Sequence, residues 1–419
     1  MSENLYSIIM PTRERADVLH FAIRTVLKLN RSNFELIVMD NCSSPETRQV
    51  VDAFESPNIR YFRSPDRLSM ADNWELGLDQ AKGDYITFLG DDDGIMPDAL
   101  EVAERFHQRW PDQILTWWPF TWLWPDFLVP SYQNMAQLYL GDHVEKINSR
   151  RFLEDLLAGR KDWTALPTLY CSFVPRTKID QTRSEHGRYF LASLPDVSSG
   201  ITNLCSSNEF FCCYRPLSCW GLSRHSTGAS QYFQVGMTAE QFDRERRDIV
   251  DEQWHPRTSG ADLIVEVRVA DLYLKMKEKL FPDDDDLQVD MTALLRHVSS
   301  ISAQRFHSRW EDVRHAVEEM ARKNGLEPAN FPLAAPSATD LDRFGYGMVP
   351  GKNGVVRYFH FTDPNIIRTI EDFLDYASRL CLPPLRVRMP GDAIQVSPSP
   401  TGRLIERVRH LLRRSRNVR

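Results

Sequence analysis

Apolar positions in the N-terminal part of the chain follow two alternating patterns. Four short runs are almost continuously apolar and rich in β-branched and aromatic residues, which predicts buried β-strands. These runs are residues 6–10, 34–39, 59–62 and 85–90. Three stretches between them carry apolar residues at helical spacing and predict amphipathic helices. These stretches are residues 16–29, 46–54 and 70–80. The regular alternation indicates a mostly parallel sheet with helices on both faces.

The pattern changes further along the chain. Residues 110–225 show no regular period, whereas beyond them apolar residues recur at helical spacing. Helices are predicted at residues 261–280, 289–301 and 310–320. An acidic run at residues 283–286 follows Pro282 rather than a strand, which indicates a solvated loop or a helix N-cap. Residues 326–350 are rich in Pro, Ala and Gly, which is typical of a connector.

These patterns divide the chain into four predicted segments. An α/β domain is expected at residues 1–230, and a helical region at residues 231–325. A connector and one more helix would occupy residues 326–400, and a basic amphipathic tail residues 401–419. The tail holds seven arginines and one glutamate between residues 403 and 419, with its apolar side chains on one helical face. Such a helix can lie on an anionic membrane surface, and the alternative is a tail that is disordered or packed on an acidic patch.

Composition narrows the class of protein. A content of 42% hydrophobic and 11% aromatic residues supports a globular core rather than disorder. The net charge of −7 does not indicate nucleic-acid binding. No stretch approaches the ~18–20 apolar residues that cross a bilayer, and the first residues do not resemble a signal peptide. We therefore expect a cytoplasmic protein that can also make peripheral contact with the inner face of a membrane.

Two clusters of residues have a structural and a chemical interpretation. Six aromatic residues between positions 117 and 127 could line a sugar pocket or belong to the core. They are Trp117, Trp118, Phe120, Trp122, Trp124 and Phe127. Four of the seven cysteines lie between positions 205 and 219, but they lack the paired spacing of a zinc ribbon. We interpret these as buried free thiols rather than a metal site or a disulfide framework.

The acidic run Asp91-Asp92-Asp93 directly follows the fourth predicted strand and is the most informative feature of the chain. Adjacent carboxylates repel one another unless positive charge lies between them. Carboxylate oxygens suit Mg²⁺ or Mn²⁺, and the carboxyl ends of strands are where open α/β sheets bind ligands. The alternative is a solvated acidic turn, which the apolar strand before it disfavours.

Two other predicted strands end in groups that fit the same site. The first ends in Pro11-Thr12-Arg13, so that its backbone and Arg13 or Arg15 could contact the base or phosphates of a nucleotide. The second ends in Asp40-Asn41, which could accept hydrogen bonds from a base or a ribose. Together with the aspartates, these strand ends predict a nucleotide-diphosphate site with a metal on the two phosphates.

The residues of these strand ends resemble those of the family 2 glycosyltransferases, which have the GT-A fold. The resemblance rests on residues 7–13, residues 34–43 and residues 81–93, and it covers residues 5–105 clearly. It implies a mostly parallel, Rossmann-type sheet flanked by helices, followed here by a largely α-helical C-terminal region. It also implies an inverting enzyme that moves a sugar from a nucleotide-diphosphate donor, usually a UDP-sugar, to a hydroxyl of a glycan or lipid-linked acceptor.

The resemblance also implies roles for single residues on the donor side. Asp40 would contact the base, Asp91 would lie near the ribose, and Asp91, Asp92 and Asp93 would form the acidic motif that holds Mn²⁺ or Mg²⁺. Asp93 is the favoured direct metal ligand, although a triple aspartate permits two registers. A late histidine that helps to bind metal or diphosphate would be His225, with Arg224 near phosphate. The alternative for His225 is a structural loop histidine.

On the acceptor side, Asp196 is the candidate for the general base that takes the proton of the attacking hydroxyl. A turn-forming or helix-capping role is the alternative for this residue. Two other classes of function stay open from the sequence: a nucleotidyltransferase, and a non-catalytic sugar- or nucleotide-binding protein on the same scaffold. The first is disfavoured because Pro11-Thr12-Arg13-Glu14-Arg15 contains no glycine, and the second because the acidic residues are intact.

Overall fold

The computed structural model describes residues 4–226, 254–258, 265–305, 310–333, 355–363, 366–381 and 383–392. The predicted basic tail at residues 401–419 lies outside these described residues, as does the larger part of the predicted connector. No helix in the described ranges combines the length and the apolar character needed to cross a membrane.

The N-terminal part of the chain forms the alternating elements that the sequence predicts. They are β1 (Tyr6–Thr12), α1 (Ala16–Leu27), β2 (Phe34–Asp40), α2 (Pro45–Asp52), β3 (Ile59–Arg63), α3 (Met70–Gln80) and β4 (Tyr85–Phe88). Every predicted strand and helix of this part is present, and only the ends of elements differ. The prediction of an α/β fold is therefore confirmed here.

Strand order defines where a ligand crevice should lie. The main sheet has the order β3-β2-β1-β4-β10-β6-β11-β9, and its first four strands are parallel. The chain runs outward from β1 through β2 to β3 and then returns to place β4 on the other side of β1. Strand order therefore reverses between β1 and β4, and open α/β sheets bind ligands at the carboxyl ends of the strands at such a point.

The second half of the main sheet is mixed, so the prediction of a mostly parallel sheet holds only for part of it. These strands are β6 (Leu115–Trp117), β9 (Val144–Asn148), β10 (Ser172–Pro175) and β11 (Glu209–Cys213). Strand β10 is antiparallel to both β4 and β6. The reason is local: the chain enters β10 from a short 3-10 turn, Leu169–Cys171, at the carboxyl end of β4, and must run back along it.

A smaller sheet with the order β13-β8-β7-β12-β5 covers the acidic run. Its strands are β5 (Gly94–Ile95), β7 (Phe120–Leu123), β8 (Met135–Leu140), β12 (Ser218–Leu222) and β13 (Val355–His360). Strand β5 follows Asp93 directly and pairs with β12. Strand β13 comes from the C-terminal part of the chain, so this sheet takes a strand from beyond the domain boundary predicted at residue 230.

Further C-terminal residues also pack on the α/β domain. Helix α11 (Ile370–Ser378) lies against α1 and β5, where Glu371 pairs with Arg24 at 3.0 Å. The approach is close, because a β-carbon on Gly94 would lie 2.6 Å from Cδ1 of Leu374. Residues 355–392 therefore complete the N-terminal domain in the described structure, rather than forming only a connector.

The helical region packs on the opposite side of the main sheet. Alternate side chains of β1 face two different cores, with Ile8 in one and Ile9 in the other. Helix α4 (Ala99–His107) contributes to the first core. The second core also contains residues of α3 and of six later helices. These are α5 (Ser149–Leu157), α6 (Arg176–His186), α7 (Pro195–Cys205), α8 (Val265–Leu280), α9 (Met291–Arg305) and α10 (Trp310–Lys323). Helix α8 contacts α7 directly, so the helical region helps to hold α7 in place.

Three smaller predictions can be compared with the structure. The acidic run at residues 283–286 is a loop after α8, as expected, and Asp284 pairs with Arg150. All seven cysteines are free thiols. Cys212, Cys213 and Cys219 are buried, as predicted, whereas Cys205 at the end of α7 is exposed.

Candidate active site

The ends of β1 and β2 bring the first predicted site residues together. Thr12 and Asp40 are paired in the parallel register of these strands, and the N–H of Asn41 donates to the carbonyl of Thr12 at 2.9 Å. Pro11 and Arg13 are half-buried on either side of Thr12. The hydroxyl oxygen of Thr12 is buried and has no hydrogen-bond partner in the described part of the chain.

Asp40 lies at the edge of the crevice with both carboxylate oxygens in use. Oδ1 accepts from the N–H of Ser43 at 2.9 Å, and Oδ2 accepts from the hydroxyl of Tyr61 at 2.5 Å. Nε of Arg63 lies 3.7 Å from Oδ2. Burial and the contact with Asp40 raise the pKa of Tyr61 well above its ordinary value, so this phenol stays protonated and donates. Sequence analysis missed Tyr61, because nothing in a strand pattern shows which residue faces Asp40.

Asn41 supports a neighbouring loop. Its Oδ1 accepts from the N–H of Leu68 at 2.8 Å, and its Nδ2 donates to the carbonyl of Leu68 at 2.9 Å. These two hydrogen bonds to the backbone of Leu68 resemble those of a paired strand residue, and they hold the loop between β3 and α3 in place. The structure places Asn41 beside the predicted crevice, with its amide committed to the protein itself.

The three aspartates after β4 are buried, but each has a different partner. Oδ1 of Asp91 accepts from Arg15 at 2.9 Å. Oδ2 of Asp92 accepts from the hydroxyl of Ser223 at 2.6 Å. The carboxylate of Asp93 accepts from two backbone N–H groups, those of Gly221 at 2.8 Å and Gly90 at 3.1 Å. The acidic run is therefore not a solvated turn: it is enclosed by β12 and by the start of α1.

Burial raises the affinity of Asp92 and Asp93 for protons. It raises the pKa of Asp92; Arg15 opposes this shift and Asp91 adds to it. Burial, reinforced by the charge of Asp92, raises the pKa of Asp93 well above its ordinary value. Three adjacent carboxyl groups therefore lie buried at this end of β4, where a cation would relieve their repulsion.

The donor set fits a divalent cation through two of the three aspartates. Asp91 and Asp92 each keep one carboxylate oxygen that accepts no hydrogen bond from the described residues. Asp93 accepts a backbone N–H at each of its oxygens, and its role as the favoured direct ligand stays a prediction. No group of three His, Cys, Asp or Glu side chains forms a complete cage among the described residues. Mg²⁺ commonly uses one or two carboxylates and completes its shell with substrate phosphates and water.

Arg15 links the aspartates to the segment after β12. It is the N-cap residue of α1, and its guanidinium donates to Asp91 from Nη1 and to the carbonyl of His225 from Nη2 at 2.6 Å. Burial lowers the pKa of Arg15, but the charges of Asp91 and Asp92 outweigh this and raise it above its ordinary value. Arg15 therefore stays charged and is the positive counterpart of the acidic run.

His225 and Arg224 lie close to the crevice but are paired with another carboxylate. Nε2 of His225 lies 2.9 Å from Oδ2 of Asp17, and Arg224 donates to the same oxygen at 2.7 Å. These contacts fasten the segment after β12 to the first turn of α1. These contacts fit the structural alternative for His225, and its role in binding metal or diphosphate stays a prediction.

Asp196 lies in the first turn of α7, half-buried. Burial raises its pKa, and the N–H of Val197 opposes this by donating to Oδ1 at 2.8 Å. A polar chain ties this turn to β4. The hydroxyl of Ser199 donates to the carbonyl of Asp196 at 2.7 Å and accepts from the N–H of Leu169 at 3.2 Å. The carbonyl of Leu169 accepts from the hydroxyl of Thr87, a residue of β4, at 3.1 Å.

Tyr170 is a half-buried residue whose phenol is affected by both Asp196 and the acidic run. Burial raises the pKa of Tyr170 well above its ordinary value, and the charges of Asp93, Asp91, Asp196 and Asp92 add to the shift. Sequence analysis missed Tyr170, which lies in an irregular segment between two predicted site residues.

The aromatic side chains around the site belong mainly to the core. Trp74 on α3 is buried, stacks on Phe88 and meets Tyr170 edge to face with ring centres 4.9 Å apart. Of the aromatic run between positions 117 and 127, all members except Trp118 are buried. The core interpretation therefore holds for five of the six, and a sugar-facing role stays open only for Trp118.

Comparison with known proteins agrees with the chemistry of this crevice. Residues 7–161 match the family model described as glycosyl transferase family 2. Over these residues, about a third of its length, the chain is similar to the glycosyltransferases of family 2. The match includes Asp40 and Asp91 to Asp93 but ends before Asp196, so it does not bear on the candidate base.

Named relatives are similar to the chain over the same part. It is 36% identical over 159 residues to the GalNAc(5)-diNAcBac-PP-undecaprenol beta-1,3-glucosyltransferase of Campylobacter jejuni, covering 36% of this chain and 48% of that protein. It is 33% identical over 102 residues to the UDP-Glc:alpha-D-GlcNAc-diphosphoundecaprenol beta-1,3-glucosyltransferase WfgD of Escherichia coli, covering 24% of this chain and 40% of that protein. The chain thus spans about half the length of these curated relatives or less.

A solved structure of TarS from S. aureus, in complex with UDP-GlcNAc, is also similar. It is 14% identical with a TM-score of 0.44, and the match covers 78% of this chain and 89% of that chain. The fold assignment rests on the strand order described above rather than on this likeness. That order, with the acidic run at the switch point between β1 and β4, is an α/β arrangement of the GT-A type.

Proposed function

We propose that the chain is an inverting glycosyltransferase that moves a sugar from a nucleoside-diphosphate donor to a hydroxyl of a lipid-linked glycan. The observation that carries this proposal is the buried acidic run Asp91 to Asp93 at the carboxyl end of β4, where the strand order reverses beside β1. The hydrogen-bonded chain through Ser199, Leu169 and Thr87 ties the turn that carries the candidate base Asp196 to the same strand. UDP is the first nucleotide to test, because the Escherichia coli relative is named for the UDP-sugar UDP-Glc.

On the donor side, each group has a role that its position supports. Asp40 and Thr12 would receive the base and ribose, since they lie at the paired ends of β1 and β2. Asp91 and Asp92 would hold Mn²⁺ or Mg²⁺, which when bound neutralises charge on the leaving diphosphate. Asp93 would instead shape the site, by fixing the backbone of Gly90 and Gly221. The phenol of Tyr170, a half-buried residue, would donate a hydrogen bond to the donor.

On the acceptor side, Asp196 would act as the general base. The burial that raises its pKa makes the carboxylate a stronger base than an exposed aspartate. It would take the proton of the acceptor hydroxyl while that oxygen bonds to the anomeric carbon. The bond from this carbon to the diphosphate breaks on the opposite face, and the nucleoside diphosphate leaves with the bonding electrons. Attack from the opposite face inverts the anomeric configuration.

A lipid-linked acceptor is supported by the names of the two relatives, both of which specify an undecaprenol-linked substrate. The helical region that packs behind α7 would shape the acceptor side of the crevice. Residues 403–419 supply a basic amphipathic sequence that suits an anionic membrane surface. We therefore expect a cytoplasmic protein that works peripherally at the inner face of the membrane.

Donor turnover tests the proposal against a non-catalytic binding protein. Purified protein would be mixed with Mn²⁺ and a panel of nucleotide sugars, and free nucleoside diphosphate would be measured with and without undecaprenyl-diphosphate-linked acceptors. We expect release from at least one donor, accelerated by an acceptor, and loss of release in Asp196→Asn. Binding of a donor without release under any of these conditions would support the binding-protein alternative instead.

A further inference from the structure

Arg15 has a position that the donor-binding roles above do not explain. Its guanidinium pairs with Asp91, one of the two aspartates that fit a metal, and is 22% exposed in the side chain. A cation at Asp91 and the guanidinium of Arg15 would therefore occupy the same part of the crevice. Two positive groups there repel each other, so the metal and Arg15 compete for the same carboxylate.

We propose that Arg15 is a latch that holds Asp91 until a nucleoside diphosphate arrives, and thereby couples metal binding to donor binding. This inference rests on the proposed function, because it assumes that the crevice receives a diphosphate. Guanidinium groups bind phosphate oxygens with two parallel hydrogen bonds, so a diphosphate offers Arg15 a partner as good as Asp91. Once Arg15 turns to the phosphates, Asp91 is released to the metal.

The backbone of Arg15 is anchored while its side chain is long. Arg15 is the N-cap residue of α1, so that the helix holds its backbone and the side chain can turn. A second hydrogen bond goes to the carbonyl of His225, in the segment after β12 that also carries Ser223, the partner of Asp92. A move of Arg15 toward a diphosphate would therefore also remove one of the contacts that hold this segment over the acidic run.

The described residues provide no group of three protein ligands for a metal, so a bound ion would depend on further ligands. An ion held by one or two carboxylates alone binds weakly, and it gains further ligands only when phosphates are present. Arg15 strengthens this dependence, since it neutralises the site while it is empty. The metal and the diphosphate should each raise the affinity of the other, as coupled ligands must.

The test measures Mn²⁺ binding by electron paramagnetic resonance of the free ion, with and without saturating UDP. In the wild type, we expect weak binding of Mn²⁺ alone and a gain of about 10-fold to 100-fold in affinity with UDP, a range typical of coupled sites. In Arg15→Gln, Mn²⁺ alone should bind about 10-fold more tightly, and the coupling should fall to about 3-fold or less. Arg15→Lys keeps the charge but loses the fork geometry of the guanidinium. Its Mn²⁺ affinity and its coupling to UDP should lie between those of the wild type and of Arg15→Gln.

The matched control is Arg24→Gln on the same helix, which removes an arginine paired with Glu371 away from the crevice. It should leave Mn²⁺ affinity and coupling at wild-type values. If Arg15→Gln or Arg15→Lys binds Mn²⁺ alone no better than the wild type, while UDP coupling persists, the latch is wrong and the proposed function stands. If neither Mn²⁺ nor any nucleoside diphosphate binds to the wild type, the proposed function fails and the latch fails with it.

Discussion

The amide nitrogen of Gly221 lies 2.8 Å from Oδ1 of Asp93, which fastens strand β12 onto the acidic run. The contact is as close as the backbone allows, because a β-carbon on Gly221 would lie only 1.8 Å from the carbonyl oxygen of Asp92. The backbone on which the aspartates are carried is therefore shaped by a strand that lies far away in the sequence. Only glycine permits this approach.

Gly221→Ala should accordingly displace the acidic run. The added methyl group meets backbone rather than a mobile side chain, so we expect a loss of stability of at least the ~1–3 kcal/mol typical of overpacking. Donor-dependent activity should fall much further than the folded fraction does. Urea unfolding and donor turnover would be measured together. The control is Gly187→Asn, at a position with positive φ and open space around it, which asparagine tolerates. Wild-type activity in Gly221→Ala would contradict this account.

Removal of the side chain should have different effects on the protein at Asp93 and at Asp91. Asp93→Ala leaves the N–H groups of Gly90 and Gly221 without their acceptor, and a buried unpaired donor costs about 1–3 kcal/mol. Asp91→Ala removes only a contact with Arg15, which can turn toward water. We therefore expect Asp93→Ala to lower the free energy of unfolding more, and Asp91→Ala to weaken Mn²⁺ binding more. Calorimetric titration and urea unfolding of both variants would show the reverse order if Asp93 were the direct ligand.

Asp196 should control how activity depends on pH. Since burial raises its pKa, the carboxylate becomes available as a base only above the ordinary aspartate range of about 3.9. Activity should therefore rise with pH through the raised pKa of Asp196 and then level off. Asp196→Asn should reduce turnover about 10²–10⁴-fold with donor affinity nearly unchanged. A variant that keeps full turnover, or an acid limb that is the same in Asp196→Glu and in the wild type, would remove Asp196 from this role.

The contact of Asp142 with Arg388, which attaches the C-terminal segment, should contribute less stability at acidic pH. His143 and Arg388 lower the pKa of Asp142 to about 2, against the effect of its partial burial. A lowered pKa stabilises the folded state above the unfolded pKa of about 3.9, and this contribution is lost as the pH falls toward 2. Arg388→Gln should destabilise the protein modestly near pH 6, by less than about 1 kcal/mol. The difference from the wild type should shrink as the pH falls below 4, which thermal unfolding at several pH values would measure.

The sequence predicts the N-terminal half of this architecture well, because its elements are set by local apolar periodicity. The segments 6–10 and 70–80 need no long-range information to be recognised as a strand and a helix. The same pattern places Asp40 and Asp91 at one edge of the sheet, since parallel strands end together. It also leads to the resemblance that the family match confirms over residues 7–161.

Other features depend on contacts that no local pattern encodes. The turn of Asp93 toward Gly90 and Gly221 requires the approach of β12, more than a hundred residues later. The contact of Arg15 with Asp91 depends on the path of the chain after β1. Strand β13 returns to the smaller sheet and pairs Val355 with Leu140, and no sequence pattern between these residues predicts this pairing. The choice among three adjacent aspartates was open in the sequence for this reason.

The most direct measurement of the central claim is a thermal-shift panel of nucleoside diphosphates and nucleotide sugars with Mn²⁺, applied to the wild type and to Asp92→Ala. The claim is that Asp91 and Asp92 hold a metal and donor at the edge between β1 and β4. It predicts that at least one nucleotide raises the unfolding temperature of the wild type only when Mn²⁺ is present, and that Asp92→Ala loses this shift. Either no stabilisation by any nucleotide, or an equal shift in Asp92→Ala, would contradict it.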